Sequence, residues 1–307
     1  MKRSDRKKPR RLWFKIPLVI ILLLVLGGGA YAISIYNNAK STVNEKMSEP
    51  VEAIDTTVTK KKMKDEEPLN VLLLGVDARG ADKGRSDALM VLSLDPKQEK
   101  MQLVSIPRDT RTTIVGKGFE DKINHAYAYG GSEMSIATVE NFLDIELDYF
   151  VRMNMEGLEE LVDQLGTIEV NNEIAWNDGT YNFTKGPVEM DGAKTMAFVR
   201  MRKQDNAGDF GRTERQRKVI EGIVDKGASV ASVNKISGVI DVLGNNMATN
   251  MDFDDMKDLL FNYTNVRKNV VSYMMEGSGT KIDGTYYYIV PDEEITKVHG
   301  MINEIKS

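Results

Sequence analysis

The chain has 307 residues, enough for one large domain or two small ones around a real hydrophobic core. It has no cysteine and only two histidines, His125 and His299, which excludes a disulfide framework and thiolate metal sites and leaves little for a zinc centre. The net charge of -5 divides unevenly: residues 1–15 carry eight basic groups against Asp5, a net of +7, so the remainder carries -12 and nucleic acid is not expected as a partner.

In chain order, the basic tail of residues 1–15 precedes an uncharged run of 21 residues, Ile16 to Tyr36, rich in Leu, Ile and Val. At about 1.5 Å per residue, such a helix crosses a hydrocarbon core of roughly 30 Å. The positive-inside rule then predicts a single-pass cell-membrane anchor with a cytoplasmic N-terminus and an extracellular C-terminal part. A cleaved signal peptide, cut after Ala30-Tyr31-Ala32, is the competing reading. The apolar run continues past that site, which favours the anchor. Residues 37–68 read as a polar stalk ending in Asp65-Glu66-Glu67-Pro68, and residues 69–307 as the globular, catalytic domain.

Within that domain the continuous Val and Leu of Leu69–Val76 predict a buried strand. Ala88–Leu94 and Met101–Ile106 follow as strands around a turn at Asp95-Pro96. Lys122–Leu143 is expected to be mostly helix with a break at Gly130-Gly131, then Asp148–Met153 a strand and Met155–Leu165 a helix stopped by Gly166. A strand region runs from Ile168 to about Pro187, and Asp191 caps a helix to Val199. Thr213–Ala228, Val233–Asn245 and Phe253–Val266 read as helices, Asn269–Met275 and Tyr286–Val290 as strands, and Glu293–Ile305 as a closing helix. The alternation predicts an α/β fold, a three-layer α/β/α sandwich around a mixed sheet.

Three segments hold nine of the eleven arginines beyond residue 36, which points to one phosphate-sized anion site in a net-acidic domain. The first is Gly75-Val76-Asp77-Ala78-Arg79 with Gly84-Arg85-Ser86-Asp87. Its carboxylates Asp77 and Asp87 beside arginines suit magnesium and an anionic substrate together, although Asp and Gly also suit plain turns. It is not a P-loop, since no Gly-Lys-Ser/Thr follows. The second is Ser105-Ile106-Pro107-Arg108-Asp109-Thr110-Arg111, where an apolar strand ends in charges; a merely solvated strand end is the bland reading. The third runs from Arg200-Met201-Arg202 to Arg212, Arg215, Gln216 and Arg217. In an extended stretch Arg200 and Arg202 point the same way. Arg212, Arg215 and Gln216 share a helical face with Val219 and Ile223, so guanidiniums turn inward at the positive end of a helix; a bound anion would resolve that, as would ion pairs with Asp205, Asp209 or Glu214. Arg217 points elsewhere.

These segments, with Lys122-Ile123-Asn124-His125-Ala126-Tyr127, resemble in order and spacing the LytR-CpsA-Psr family over residues 69–276, nearest to the polyisoprenyl-teichoic acid–peptidoglycan teichoic acid transferases of Gram-positive bacteria. The resemblance implies the family's α/β/α fold, with a hydrophobic pocket for a polyprenyl chain and an arginine-lined mouth for its pyrophosphate. It implies that Asp77, Asp87 and Arg108 are catalytic, that Asp77 and Asp87 hold Mg2+ (or Mn2+), and that Arg85, Arg108, Arg200, Arg202, Arg212 and Gln216 bind pyrophosphate. The implied partners are an undecaprenyl-pyrophosphate-linked glycopolymer, peptidoglycan and the cytoplasmic membrane. The implied reaction moves the polymer to a peptidoglycan hydroxyl, with Asp87 or Asp109 as proton acceptor and His125 as a structural residue. Residues 219–224, 236–243 and 256–261 are expected to line the lipid pocket. Pyrophosphate hydrolysis, a non-catalytic polymer carrier and transcriptional control are the rival readings.

Overall fold

The computed structural model describes residues 32–77, 84–227 and 233–304. Two units separate, residues 1–41 and 42–307. In the first, residues 32–41 are helical, and the anchor expected over Ile16–Tyr36 lies outside the described residues up to residue 31. Among the described residues no helix is long and apolar enough to cross a membrane.

The second unit is built on a six-stranded sheet. Its strands are β1 (Leu69–Asp77), β2 (Arg85–Asp95), β3 (Lys100–Ile106), β6 (Tyr149–Asn154), β11 (Met247–Thr249) and β12 (Asn269–Met274), in the spatial order β11-β6-β1-β2-β3-β12. β1 pairs parallel with β6 and β3 with β12, while the remaining neighbours are antiparallel, so the sheet is mixed as expected. Because β1 and β3 both run against β2, the C-terminal ends of β1 and β3 and the start of β2 share one sheet edge. The first two charged segments, at Asp77 with residues 85–87 and at residues 108–111, leave the sheet at that edge.

Alternation along β1 divides its side chains between two cores. Leu72, Leu74 and Val76 pack with Leu89, Val91, Val104 and Ile106 under α2 (His125–Leu143) and α8 (Asp292–Glu304), through Ile136, Val139, Val298 and Ile302. On the opposite face Leu73 and Gly75 look toward α3 (Met155–Leu165), α4 (Gly192–Arg200) and α5 (Asp209–Gly227). A second cluster there gathers Val162, Ile168, Val188, Phe198 and Val219 around Trp176, whose ring stacks on Phe183 with centroids 3.8 Å apart. Helices thus cover both faces, the three-layer arrangement.

Local signals fall where expected in several elements. Asp191 caps α4 by accepting from Lys194 N at 2.8 Å, and α3 stops at Gly166. Gly130 and Gly131 break α2, Gly131 at φ 67°, a conformation that suits glycine. Several boundaries differ, among them the starts of β2 at Arg85 rather than Ala88 and of α5 at Asp209 rather than Thr213. Lys122 belongs to the short strand β5 (Glu120–Lys122), paired with β4 (Arg111–Thr113), so α2 begins at His125. The helix from Phe253 ends at Asn262 and continues as a 3-10 turn, Thr264–Lys268. The strand region after Ile168 is two hairpin-like pairs, β7 (Ile168–Asn172) with β10 (Gly186–Met190) and β8 (Trp176–Asn177) with β9 (Asn182–Phe183). Finally, part of the expected stalk is built into the domain. Helix α1 (Thr56–Lys64) is capped by Asp55 and buries Met63, and Met47 and Ile54 are buried as well.

Candidate active site

The first part of the site is a β-bulge. Gly75 pairs with Ala88 and Val76 with Ser86, which leaves Asp87 as the extra residue of β2, while Asp77 pairs with Arg85. A bulge re-aims the side chain it carries. Here it brings Asp87 to the end of β3, where Arg108 Nη1 donates to Asp87 Oδ1 at 2.5 Å. Arg108 Nε also lies 3.8 Å from Asp109 Oδ2, and Lys122 Nζ lies 2.8 Å from Asp109 Oδ1. Asp87, Arg108, Asp109 and Lys122 therefore form a chain of alternating charge, half-buried along its length. Charge-assisted bonds of this kind hold the guanidinium in place before any substrate arrives. Arg79 lies outside the described residues.

A neighbouring cluster was not anticipated. Asp121 Oδ2 lies 2.7 Å from His125 Nδ1 and accepts from the Tyr129 hydroxyl at 2.7 Å, while Oδ1 accepts the Lys122 amide at 2.8 Å. Burial pushes the Asp121 carboxyl up, but its bonds from His125, Tyr129 and the Lys122 amide outweigh that and hold it below the usual carboxylate range. His125, expected as structural, is thereby fixed against Asp121 beside the Arg108 loop, whose carbonyl accepts from Asn124 N at 3.3 Å. The i, i+4 spacing of His125 and Tyr129 on the helix was legible, but Asp121 comes from strand β5 and nothing in the sequence signalled that it would meet them.

The arginine element lies on the other layer. α4 ends at Arg200, and Met201 is extended at φ -62°, ψ 133°. Arg200 and Arg202 are exposed and line an open cleft of about 760 Å³. On α5 the inward face is as the spacing predicts: Arg212, Arg215, Gln216 and Val219 are 6 %, 4 %, 8 % and 1 % exposed. Arg215 is a structural residue. Its Nη1 donates to Asp205 Oδ2 at 2.5 Å and its Nη2 to the Met201 carbonyl at 2.6 Å, which ties the Met201–Asp205 segment to α5. Arg217 turns away and pairs with Glu214 and Glu221.

Beneath α5 lies an apolar pocket of about 210 Å³. Leu73, Gly75, Ala88 and Met90 of β1 and β2 form its floor, and Val219, Ile220, Ile223 and Val224 its roof. Gly75 and Ala88 keep the floor open: a Cβ on Gly75 would stand 3.0 Å from that of Ala88. Gln216 reaches the same pocket with its buried Oε1 lacking a hydrogen-bond partner among the described residues. The expected lining by residues 219–224 holds. The described side chains of 237–243 and those of 256–261 do not join them: Met256 and Leu259 pack against Met63, Leu69 and Tyr263 at another end of the sheet, and Leu260 and Phe261 face solvent.

Among the described residues no group of three or more His, Cys, Asp or Glu side chains could hold a metal by itself. Asp77 ends β1 and Asp87 bulges from the facing start of β2, which puts two carboxylates at one end of the sheet; magnesium commonly takes one or two carboxylates and completes its shell with substrate phosphate and water.

A model of the LytR_cpsA_psr family matches residues 30–304. The polyisoprenyl-teichoic acid–peptidoglycan teichoic acid transferase TagU of Bacillus subtilis is 43 % identical over 98 % of both chains. The crystal structure of B. subtilis TagU superimposes with a TM-score of 0.65 at 42 % identity, covering 78 % of this chain and 97 % of that one. A structure of TagT bound to LIIa-WTA gives a TM-score of 0.67 at 30 % identity, covering 78 % and 91 %.

Proposed function

The chain belongs to the LytR-CpsA-Psr family, and from that premise we propose that it is a glycopolymer transferase carrying an anionic polymer, wall teichoic acid by kinship, from undecaprenyl pyrophosphate to a peptidoglycan hydroxyl. The observation that carries this reading is one backbone step. Val199 lines the apolar pocket, and Arg200, the next residue, lines the cationic cleft. A ligand that suits both is an amphiphile with a long apolar tail and an anionic head. Ile16–Tyr36, as a single-pass anchor, would hold the domain at the outer membrane surface where such lipids lie.

In the reaction the acceptor oxygen attacks the polymer-side phosphorus, the bond to the bridging oxygen breaks, and the lipid leaves as its monophosphate. The hydroxyl proton passes to a carboxylate of the sheet edge, Asp87 or Asp109. Arg85, Arg108, Arg200, Arg202 and Arg212 neutralise charge on the transferring and leaving groups, with Gln216 at the junction with the lipid tail. Asp77 and Asp87 would hold magnesium, which supplies Lewis-acid stabilisation of phosphoryl oxygens. The bond from Arg108 to Asp87 positions both before binding, and such preorganisation is what makes these charges effective.

The test is transfer by the full chain in detergent, given a lipid-pyrophosphate glycan, peptidoglycan oligomers and magnesium. The proposal requires a phosphodiester-linked product that falls at least about a hundredfold in Arg108→Ala, the scale for losing one preorganised charge donor. Lipid binding without turnover would leave a carrier and overturn it.

A further inference from the structure

We infer that the open cleft bounded by Trp176, Asp178, Arg200, Arg202, Lys203 and Gln204 seats the anionic polymer portion of the donor, taking a sugar chain that bears phosphodiesters or carboxylates beyond the pyrophosphate. The inference rests on the transferase reading and adds a substrate subsite to it.

Charge is the first support. The cleft presents three cations and one acid, in a chain that is net acidic beyond its N-terminal tail. The acid, Asp178, is engaged in its own turn, accepting from Thr180 N at 2.8 Å and Tyr181 N at 2.7 Å. Arg200 and Lys203 form no ion pair among the described residues, so their field is directed into the cleft rather than cancelled.

Size and continuity are the second. At about 760 Å³ the cleft is more than three times the volume of the apolar pocket and lies within the range of sites that hold sizeable ligands. A pyrophosphate alone would leave most of it empty. Val199 lines the apolar pocket and the next residue, Arg200, lines the cleft, so the two cavities flank one backbone segment. The segment is fixed for the purpose by Arg215, which holds the Met201 carbonyl and Asp205.

A neutral acceptor glycan would leave the cations of the cleft unanswered, which is why the charged donor chain is the occupant.

The experiment compares two donors in the full chain: a lipid-pyrophosphate disaccharide, and the same lipid extended by several glycerol phosphate units. In Lys203→Glu the ratio of kcat/KM values, extended over short, should fall about tenfold, the worth of roughly 1.4 kcal/mol. The loss should sit in KM and shrink as salt screens the cleft. An unchanged ratio overturns the subsite. Binding of a free glycerol phosphate oligomer, followed by calorimetry, decides the matter even if no donor turns over: oligomer binding weakened by Lys203→Glu supports the cleft while the transferase reading fails alone, and an oligomer that ignores the substitution overturns the cleft.

Discussion

Arg215 and Arg212 occupy the same buried helical face three residues apart, and Arg215 is bonded to Asp205 and to the Met201 carbonyl. The spacing showed that both turn inward; it could not show that Asp205, ten residues upstream in a loop, returns to meet one of them. Removing one partner of a buried pair costs about 3–5 kcal/mol, so Arg215→Ala should lower the unfolding free energy by that amount in denaturant titration. Burial raises the Asp205 carboxyl, but the bonds from Arg215 and Ala207 N outweigh it and leave it below the ordinary value. A depressed carboxylate stabilises the fold above its unfolded value near pH 4 and loses that contribution as pH falls through the folded value. Hydrogen exchange across residues 201–205 should therefore quicken below about pH 4 in the wild type. In Arg215→Ala the exchange should already be fast at neutral pH.

At the scale of elements, strands and helices were legible because their apolar periodicity is long and continuous; the bulge that turns Asp87 toward Arg108 was not, because one unpaired residue leaves no mark on a hydrophobic pattern. Likewise the apolar stretches 236–243 and 256–261 carry the same residue types as a pocket wall, and only tertiary packing shows that Val219 to Val224 do the lining. Two substitutions test these elements. A Cβ at Gly211 would overlap the Asp205 carboxylate, so Gly211→Ala should displace the Met201–Asp205 segment and cut transfer about tenfold, with far-UV circular dichroism unchanged. Filling the pocket floor with Ala88→Phe should raise KM for an undecaprenyl donor while sparing a short-chain one. Equal effects on both donors would move the lipid elsewhere.

For the molecule as a whole, the layer order followed from alternating strands and helices, and the shared edge of β1, β2 and β3 followed from their directions. The domain's beginning was harder to see. Residues 42–64 are polar enough to read as a stalk, and the few apolar side chains that bury there, Met47, Ile54 and Met63, are too sparse to form a pattern. The gathering of Asp77, Asp87, Arg108 and the arginines of residues 200–216 into one donor-handling machine is the central claim, and the fate of oxygen tests it most directly. A single turnover would be run with the full chain in 18O-labelled water, lipid-pyrophosphate glycan, peptidoglycan oligomers and magnesium. Mass spectrometry should find an unlabelled phosphodiester joining glycan to peptidoglycan, together with lipid monophosphate, and neither in Asp77→Ala. Labelled phosphate on free glycan, with no joined product, would mean that water is the acceptor and would contradict the transferase account.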